Sequence, residues 1–406
     1  MFFTDKTTSF LSLLIVYLLS YKILIYHPEN PKYTLKRASE QHQITSSSLL
    51  LNENGQITET GWSLNYLKKL NLEKMKPSSF KIPLLKNLQF KKIDYFAFQF
   101  GKKLFQIRIA SLNHSSFVLI NFFDFETHEL IYHSFDHFSL LSPSLKTPLL
   151  ADDPFVLESN EYSFDTPKIL VNVTQTRNPA KNSLLNVIDL KNGNNVKAKL
   201  MNERFIVQND FFDVVPTNAQ NTRFVYSLKS YESSCEGFLT VAGKYYSLLS
   251  SNCVSLTAFT RGFFNFKSNY LWASAFGRLP NGVLLSLNFG GGIGQVELLK
   301  SGEDFFKLHG KIHKLSPVMA VLGNETGLLS EVFFKTHADF QAKPGLTDVV
   351  FSPFKEQRAS FSSLLVFSFD SSVTFGVFKG SFVDGSGVVT VFEGIHVFVE
   401  RTSARW

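Results

Sequence analysis

Apolar and polar positions alternate over residues 105–110, where Phe105, Ile107 and Ile109 interleave with Gln106, Arg108 and Ala110. That period of two predicts a half-buried strand. Residues 117–125 form a denser apolar run, as in a strand covered on both faces. Further on, Asn178-Pro179 and Asn192-Gly193 mark turns, the second between strand-like stretches 184–190 and 196–200. From 236 onward hairpins recur. Stretches 237–241 and 244–249 flank a turn at Ala242-Gly243, and 284–289 runs into a glycine-rich turn. Strands over 364–369, 374–382 and 388–392 follow, with Asp384-Gly385 as a tight-turn signal. Short strands at such intervals predict antiparallel sandwiches or barrels. Residues 63–75 place Leu64, Leu67 and Leu70 at three-residue spacing, enough for one short helix.

One stretch breaks this pattern. Residues 9–26 are apolar except for Lys22 and a few hydroxyls, and as a helix they would span about 27 Å, close to the thickness of a bilayer core. Tyr17, Tyr21 and Tyr26 suit the membrane boundary, and Lys22 can carry its ammonium there. A cleaved signal peptide is the rival, but His27, Pro28, Glu29 and Asn30 follow the run where small residues would be needed. A single-pass anchor is therefore expected. Lys32, Lys36 and Arg37 behind it place the body on the cytosolic side by the positive-inside tendency, with the organelle open. Asn-x-Ser/Thr sites at Asn113, Asn172 and Asn324 argue the other way and carry little weight in so Asn- and Ser-rich a chain.

At 406 residues the chain exceeds one ordinary core, and 44% hydrophobic against 18% charged residues excludes wholesale disorder. Phenylalanine supplies 43 of the aromatics, which suits strands. The resulting division is 1–30 anchor, 31–60 tether, 61–235 first β domain with a basic amino-terminal part, and 236–406 second β domain. The net charge of +7 resolves into a local excess of +9 over residues 31–108. Such a block beside an anchor suits phospholipid headgroups or a solvated face. Nucleic acid is not expected, since the aromatics interleaved with the lysines of 68–103 follow core alternation and no RNP pattern occurs. Two cysteines exclude a disulfide scaffold; Cys235 and Cys253 could bridge a hairpin in an oxidising compartment, or be small buried hydrophobes in a reducing one.

Motifs for chemistry are sparse. His133/His137 and His309/His313 are four apart, about 13 Å along a strand and too far to share an ion, so no metal is expected. Gly290-Gly291-Gly292-Ile293-Gly294 is followed by Gln295 where a dinucleotide fingerprint needs glycine, so no cofactor is expected. No Gly-x-Ser-x-Gly elbow is present. Asp210 and Asp213 read as loop residues as readily as a proton-transfer pair.

Five stretches, in order, carry a resemblance. They are Gly55 with Gly61-Trp62; Lys92-Ile93-Asp94-Tyr95-Phe96; Thr260-Arg261-Gly262 with Trp272-Ala273-Ser274; Leu287-Asn288-Phe289-Gly290 with Glu297; and Gly376, Gly380, Asp384-Gly385, Gly394, Glu400 and Arg405-Trp406. Together they resemble the domain-of-unknown-function family 2804 over residues 45–406. Ala258 and Leu298 stand where that family's pattern has an acidic residue and an asparagine. The resemblance implies an all-β body of two antiparallel calycin- or lipocalin-like barrels or sandwiches, behind the transmembrane helix, and a distant link to carotenoid hydratase and tocopherol cyclase types.

Three functions are compatible with this reading. The first is a membrane-anchored β-barrel-type protein that binds an apolar or lipid-like small molecule, with membrane lipid as a partner and Tyr95, Arg261 and Trp272 as ligand-binding candidates. The second is a hydratase- or cyclase-like enzyme on an isoprenoid. It needs a carboxylic acid of raised pKa facing a carbon–carbon double bond, for which Glu297, Asp94 and Glu400 are candidates. The third is a subunit of a membrane complex. For all of these residues the bland alternative is a buried structural pair or a core plug.

Overall fold

The computed structural model describes residues 41–45, 48–64, 68–75, 90–112, 115–139, 159–165, 168–176, 183–189, 193–201, 210–216, 222–264, 267–291, 303–322, 330–336, 345–363 and 367–405. The expected anchor, Glu297 and Trp406 lie outside them. Among the described residues no helix is long and apolar enough to cross a membrane, and helix is confined to a 3-10 turn at Leu72–Lys74.

The strands are β1 (Ser48–Leu49), β2 (Gly61–Ser63), β3 (Lys68–Lys69), β4 (Phe90–Phe100), β5 (Lys103–Ser111), β6 (Ser115–Asp124), β7 (Glu129–Ser139) and β8 (Ser159–Asp165). Then come β9 (Ile169–Thr176), β10 (Ser183–Asp189), β11 (Asn195–Met201), β12 (Asp210–Pro216), β13 (Phe224–Val241), β14 (Lys244–Leu248) and β15 (Cys253–Phe263). The remainder are β16 (Lys267–Arg278), β17 (Leu284–Gly291), β18 (Phe305–Leu308), β19 (Lys311–Lys314), β20 (Val318–Leu322), β21 (Val332–Thr336), β22 (Gly345–Ser363), β23 (Phe367–Val383) and β24 (Val389–Arg405). Apart from β1 and β3, which form a short parallel pair, they form two curled antiparallel half-barrel sheets. The first runs β7-β6-β5-β4-β15-β13-β11-β10-β9-β8, with β12 and β14 also on β13 and β2 on β12. The second runs β19-β18-β17-β16-β24-β23-β22-β21-β20. The chain changes sheet between Phe263 and Lys267, and the long strand β13 passes straight through position 235.

Local chemistry explains the ladders. Ala242 (φ 50°) and Gly243 (φ 73°) make the two-residue turn between β13 and β14, the left-handed pair that matches strand twist. Cys235 and Cys253, buried on β13 and β15, form a disulfide with Cα atoms 5.2 Å apart. Gly262 has φ 159°, and a Cβ there would sit 2.4 Å from the Phe224 carbonyl oxygen on β13. Backbone approach, rather than chemistry, accounts for the glycine of Thr260-Arg261-Gly262.

The predicted half-buried strand over 105–110 is a strand, β5, but from Leu104 to Ser111 it is buried on both faces. Phe105, Ile107 and Ile109 enter the core of the first sheet. The opposite face lies under the second sheet. Tyr95, Phe123, Tyr231 and Leu256 of the first sheet share a core with Phe276, Phe305, Phe375 and Phe398 of the second. Phe123 stacks on Phe375 with ring centroids 4.4 Å apart, and Phe117 meets Phe369 at 4.6 Å. The cores of the two sheets contain side chains such as Phe96, Phe98 and Phe105 in one and Phe289, Phe334 and Phe378 in the other.

Candidate functional site

Strand β12 reads Asp-Phe-Phe-Asp-Val-Val-Pro, and pairing with β13 buries its central aspartate, Asp213, to 3% exposure. Burial pushes the Asp213 carboxyl up to about 8, and the neighbouring Glu303 charge pushes in the same direction. Ser227, on β13, joins the two acids: its Oγ contacts Asp213 Oδ1 and lies 3.0 Å from Glu303 Oε1. A hydroxyl carries one proton, and an ionised carboxyl carries none. Ser227 can therefore donate to only one of them. The arrangement closes when Asp213 is a neutral acid that donates to Ser227 Oγ, while Ser227 donates to Glu303. The other Glu303 oxygen is paired with Lys229.

The second sheet positions Glu303. Asn288, on β17, donates to the Glu303 carbonyl oxygen at 2.7 Å. At Gly290 a Cβ would sit 2.9 Å from Glu303 Oε2, so the glycine leaves room for the carboxylate. Asn288 Oδ1 also accepts from Trp272 Nε1 (2.8 Å) and from the Tyr231 hydroxyl (2.9 Å), which lies 2.7 Å from Ser274 Oγ. The Lys229 ammonium sits 5.6 Å from the Trp272 ring centroid. Asp304 next door accepts from the Gly290 and Val318 amides; burial raises it to about 7 and lowers Lys314 to about 8. Both sheets thus contribute to one buried acid–base cluster.

The residues expected from sequence separate into two groups. Tyr95 and Trp272 come together edge to face, with centroids 4.9 Å apart, at the margin of this cluster. Burial pushes the Tyr95 phenol well above its ordinary value, and its hydroxyl has no hydrogen-bond partner among the described residues. Asp94 and Arg261 instead form an enclosed ion pair at 2.6 Å, both fully buried. Glu400 is paired with Arg108 across the two sheets and also accepts from Tyr270 (2.8 Å) and Thr402 (2.7 Å). These acids hold strands together and present no unengaged carboxyl.

Searches of solved structures return weak likenesses. A protein described as AttH, from Nitrosomonas europaea, matches with TM-score 0.43 and 10% identity over 77% of this chain and 92% of its own. Kievitone hydratase from Nectria haematococca matches with TM-score 0.40 and 10% identity over 77% of this chain and 88% of its own. No curated protein matches the sequence. The family described as domain of unknown function (DUF2804) matches residues 41–406, and with nine-tenths of its length covered the chain belongs to that family.

Proposed function

We propose that the protein is an acid–base enzyme acting on a small, largely apolar, unsaturated molecule at the junction of its two β domains, with Asp213 as proton donor. The observation that carries this reading is the Asp213–Ser227–Glu303–Lys229 chain, in which burial and the adjacent acid favour the neutral form of Asp213. A carboxylic acid held protonated near neutral pH can protonate a carbon–carbon double bond, and a neighbouring carboxylate can accept the proton of the water that adds. Ser227 connects the two, so a proton taken up by Glu303 returns to Asp213 and the cycle closes. Hydration or cyclisation of an isoprenoid-like molecule meets these requirements. Trp272 and Tyr95 supply an apolar wall, and the unpaired Tyr95 hydroxyl supplies a donor to a substrate oxygen.

The membrane address belongs to the same proposal. Residues 9–26 anchor the chain and bring the site to a source of apolar substrate. The Cys235–Cys253 bridge supports an oxidising compartment for the body, on the other side from that favoured by Lys32, Lys36 and Arg37. The test is incubation of the purified full chain in deuterium oxide with a panel of unsaturated isoprenoids, followed by mass spectrometry of the recovered compounds. Deuterium incorporation by the wild type that disappears in folded Asp213→Asn and Glu303→Gln variants supports the reading. Equal incorporation in all three removes it.

A further inference from the structure

Where Phe100 at the end of β4 faces Cys253 at the start of β15, the two sheets leave a cleft of about 290 Å3. It shares no residue with the Asp213 cluster. Gln99 of β4 and Asn252 of the turn before β15 wall it on one side; Gly277 and Arg278 of β16 and Gly394 and His396 of β24 wall it on the other. The volume is close to the lower end of small-molecule pockets, about 300 Å3.

Gln99, Arg278 and His396 bring N–H donors to its walls. The His396 ring stacks flat on Phe125, with centroids 4.1 Å apart. Gln99 Nε2 donates to His396 Nδ1 at 2.9 Å, with the amide seated against Gly277. A neutral imidazole that accepts at Nδ1 carries its proton on Nε2. Burial holds His396 neutral by lowering it to about 4, aided by the Lys102 charge and opposed by Asp124. Asp124 is itself engaged, by Lys103 at 2.9 Å and by the Glu126 amide. The Nε2–H of His396 is left without a partner among the described residues. Arg278, at the exposed rim, spends one N–H on the Gly282 carbonyl oxygen (3.1 Å). Among the described residues no carboxylate lines the cleft. Fixed donors beside a guanidinium, with no acid to compete, select an acceptor-rich anion.

We propose that this cleft binds a small oxyanion, a carboxylate or a phosphate, gripped by Arg278 at the rim and by the Nε2–H of His396 within. Because both sheets supply walls, the bound anion ties the two domains together, and occupancy raises the thermal midpoint.

The experiment uses the full chain at pH 7 and titrates sodium phosphate and, separately, sodium benzoate, with sodium chloride at matched ionic strength as the control. Thermal unfolding and isothermal titration are read together. Saturable binding of one anion with a rising midpoint is expected, and which anion responds tells phosphate from carboxylate ligands. Arg278→Ala, at an exposed site, weakens that binding by about tenfold or more. His396→Phe, which keeps the stack on Phe125 and removes the N–H, weakens it by about threefold or more. No saturable binding of either anion, a response that tracks ionic strength alone, or equal affinity in wild type and both variants overturns the proposal.

Discussion

Replacing Asp213 by asparagine separates a neutral acid from an ordinary buried carboxylate. In the unfolded chain an aspartate titrates near 3.9; in the folded protein Asp213 titrates at about 8. Between those values the folded state holds a proton that the unfolded state lacks, so stability is greatest at low pH and falls by about 1.4 kcal/mol per unit as pH rises. From pH 6 to pH 8 the folded state begins to release the proton too, and the integrated loss is about 2 kcal/mol. Asparagine has no such proton. Asp304 contributes a slope of the same sign up to about 7, and Lys314 one of opposite sign above about 8. Both are present in the two proteins, so most of their slope cancels in the difference, apart from the pull of an ionised Asp213 on Lys314. Urea unfolding at pH 6, 7 and 8 measures it: the wild type loses about 2 kcal/mol relative to Asp213→Asn over that range. Difference infrared spectra at pH 6 add a direct readout, the carbonyl stretch of a protonated carboxylic acid, absent from the variant. Parallel stability curves for the two proteins, with no such band, would refute both the protonated acid and the proton relay through Ser227.

Three further outcomes follow from the same geometry. Arg108→Met or Glu400→Leu alone leaves one buried charge without its partner and costs about 3–5 kcal/mol, whereas the double variant recovers most of the loss in urea titrations. Replacing Cys235 and Cys253 together by alanine opens a link between residues 18 apart and lowers stability by about 3 kcal/mol, and a reductant lowers the midpoint of the wild type but not of the variant. Tyr95→Phe removes a buried hydroxyl that has no partner among the described residues, so stability holds or rises by up to about 1 kcal/mol. If that hydroxyl serves a substrate, deuterium incorporation falls in the same variant.

Much of the architecture was legible because the strands of this chain are locally marked. The alternation at 105–110 identified β5, the strand-like stretches 184–190 and 196–200 the antiparallel pair β10 and β11, and Ala242-Gly243 the hairpin of β13 and β14. What local pattern could not supply was the second face. Gln106 and Arg108 read as a solvent-facing row, yet they are buried because another sheet covers them, and the partner of Arg108 is Glu400, 292 residues away. The hairpin after β13 was likewise recognisable while its sheet was not: β14 returns onto β13 within the first sheet and does not begin the second.

The site was less legible for a related reason. Asp213 sits in Phe-Phe-Asp-Val-Val, and an aspartate inside an apolar strand signals a buried acid more directly than its spacing from Asp210, which read equally well as a loop. That signal alone does not say what the acid does, because Asp94 in Ile-Asp-Tyr-Phe and Glu400 in Val-Phe-Val-Glu carry it too. Their fates differ through residues distant in sequence. Asp94 meets Arg261 and Glu400 meets Arg108, so each has a guanidinium against it. Asp213 meets Ser227 and a second acid, Glu303, which is paired with Lys229, and Lys314 also acts on Asp213. Burial and the neighbouring Glu303 charge both favour the proton-bound form of Asp213. The surroundings at the junction of the two sheets, which no single strand contains, are what set Asp213 apart from Asp94 and Glu400.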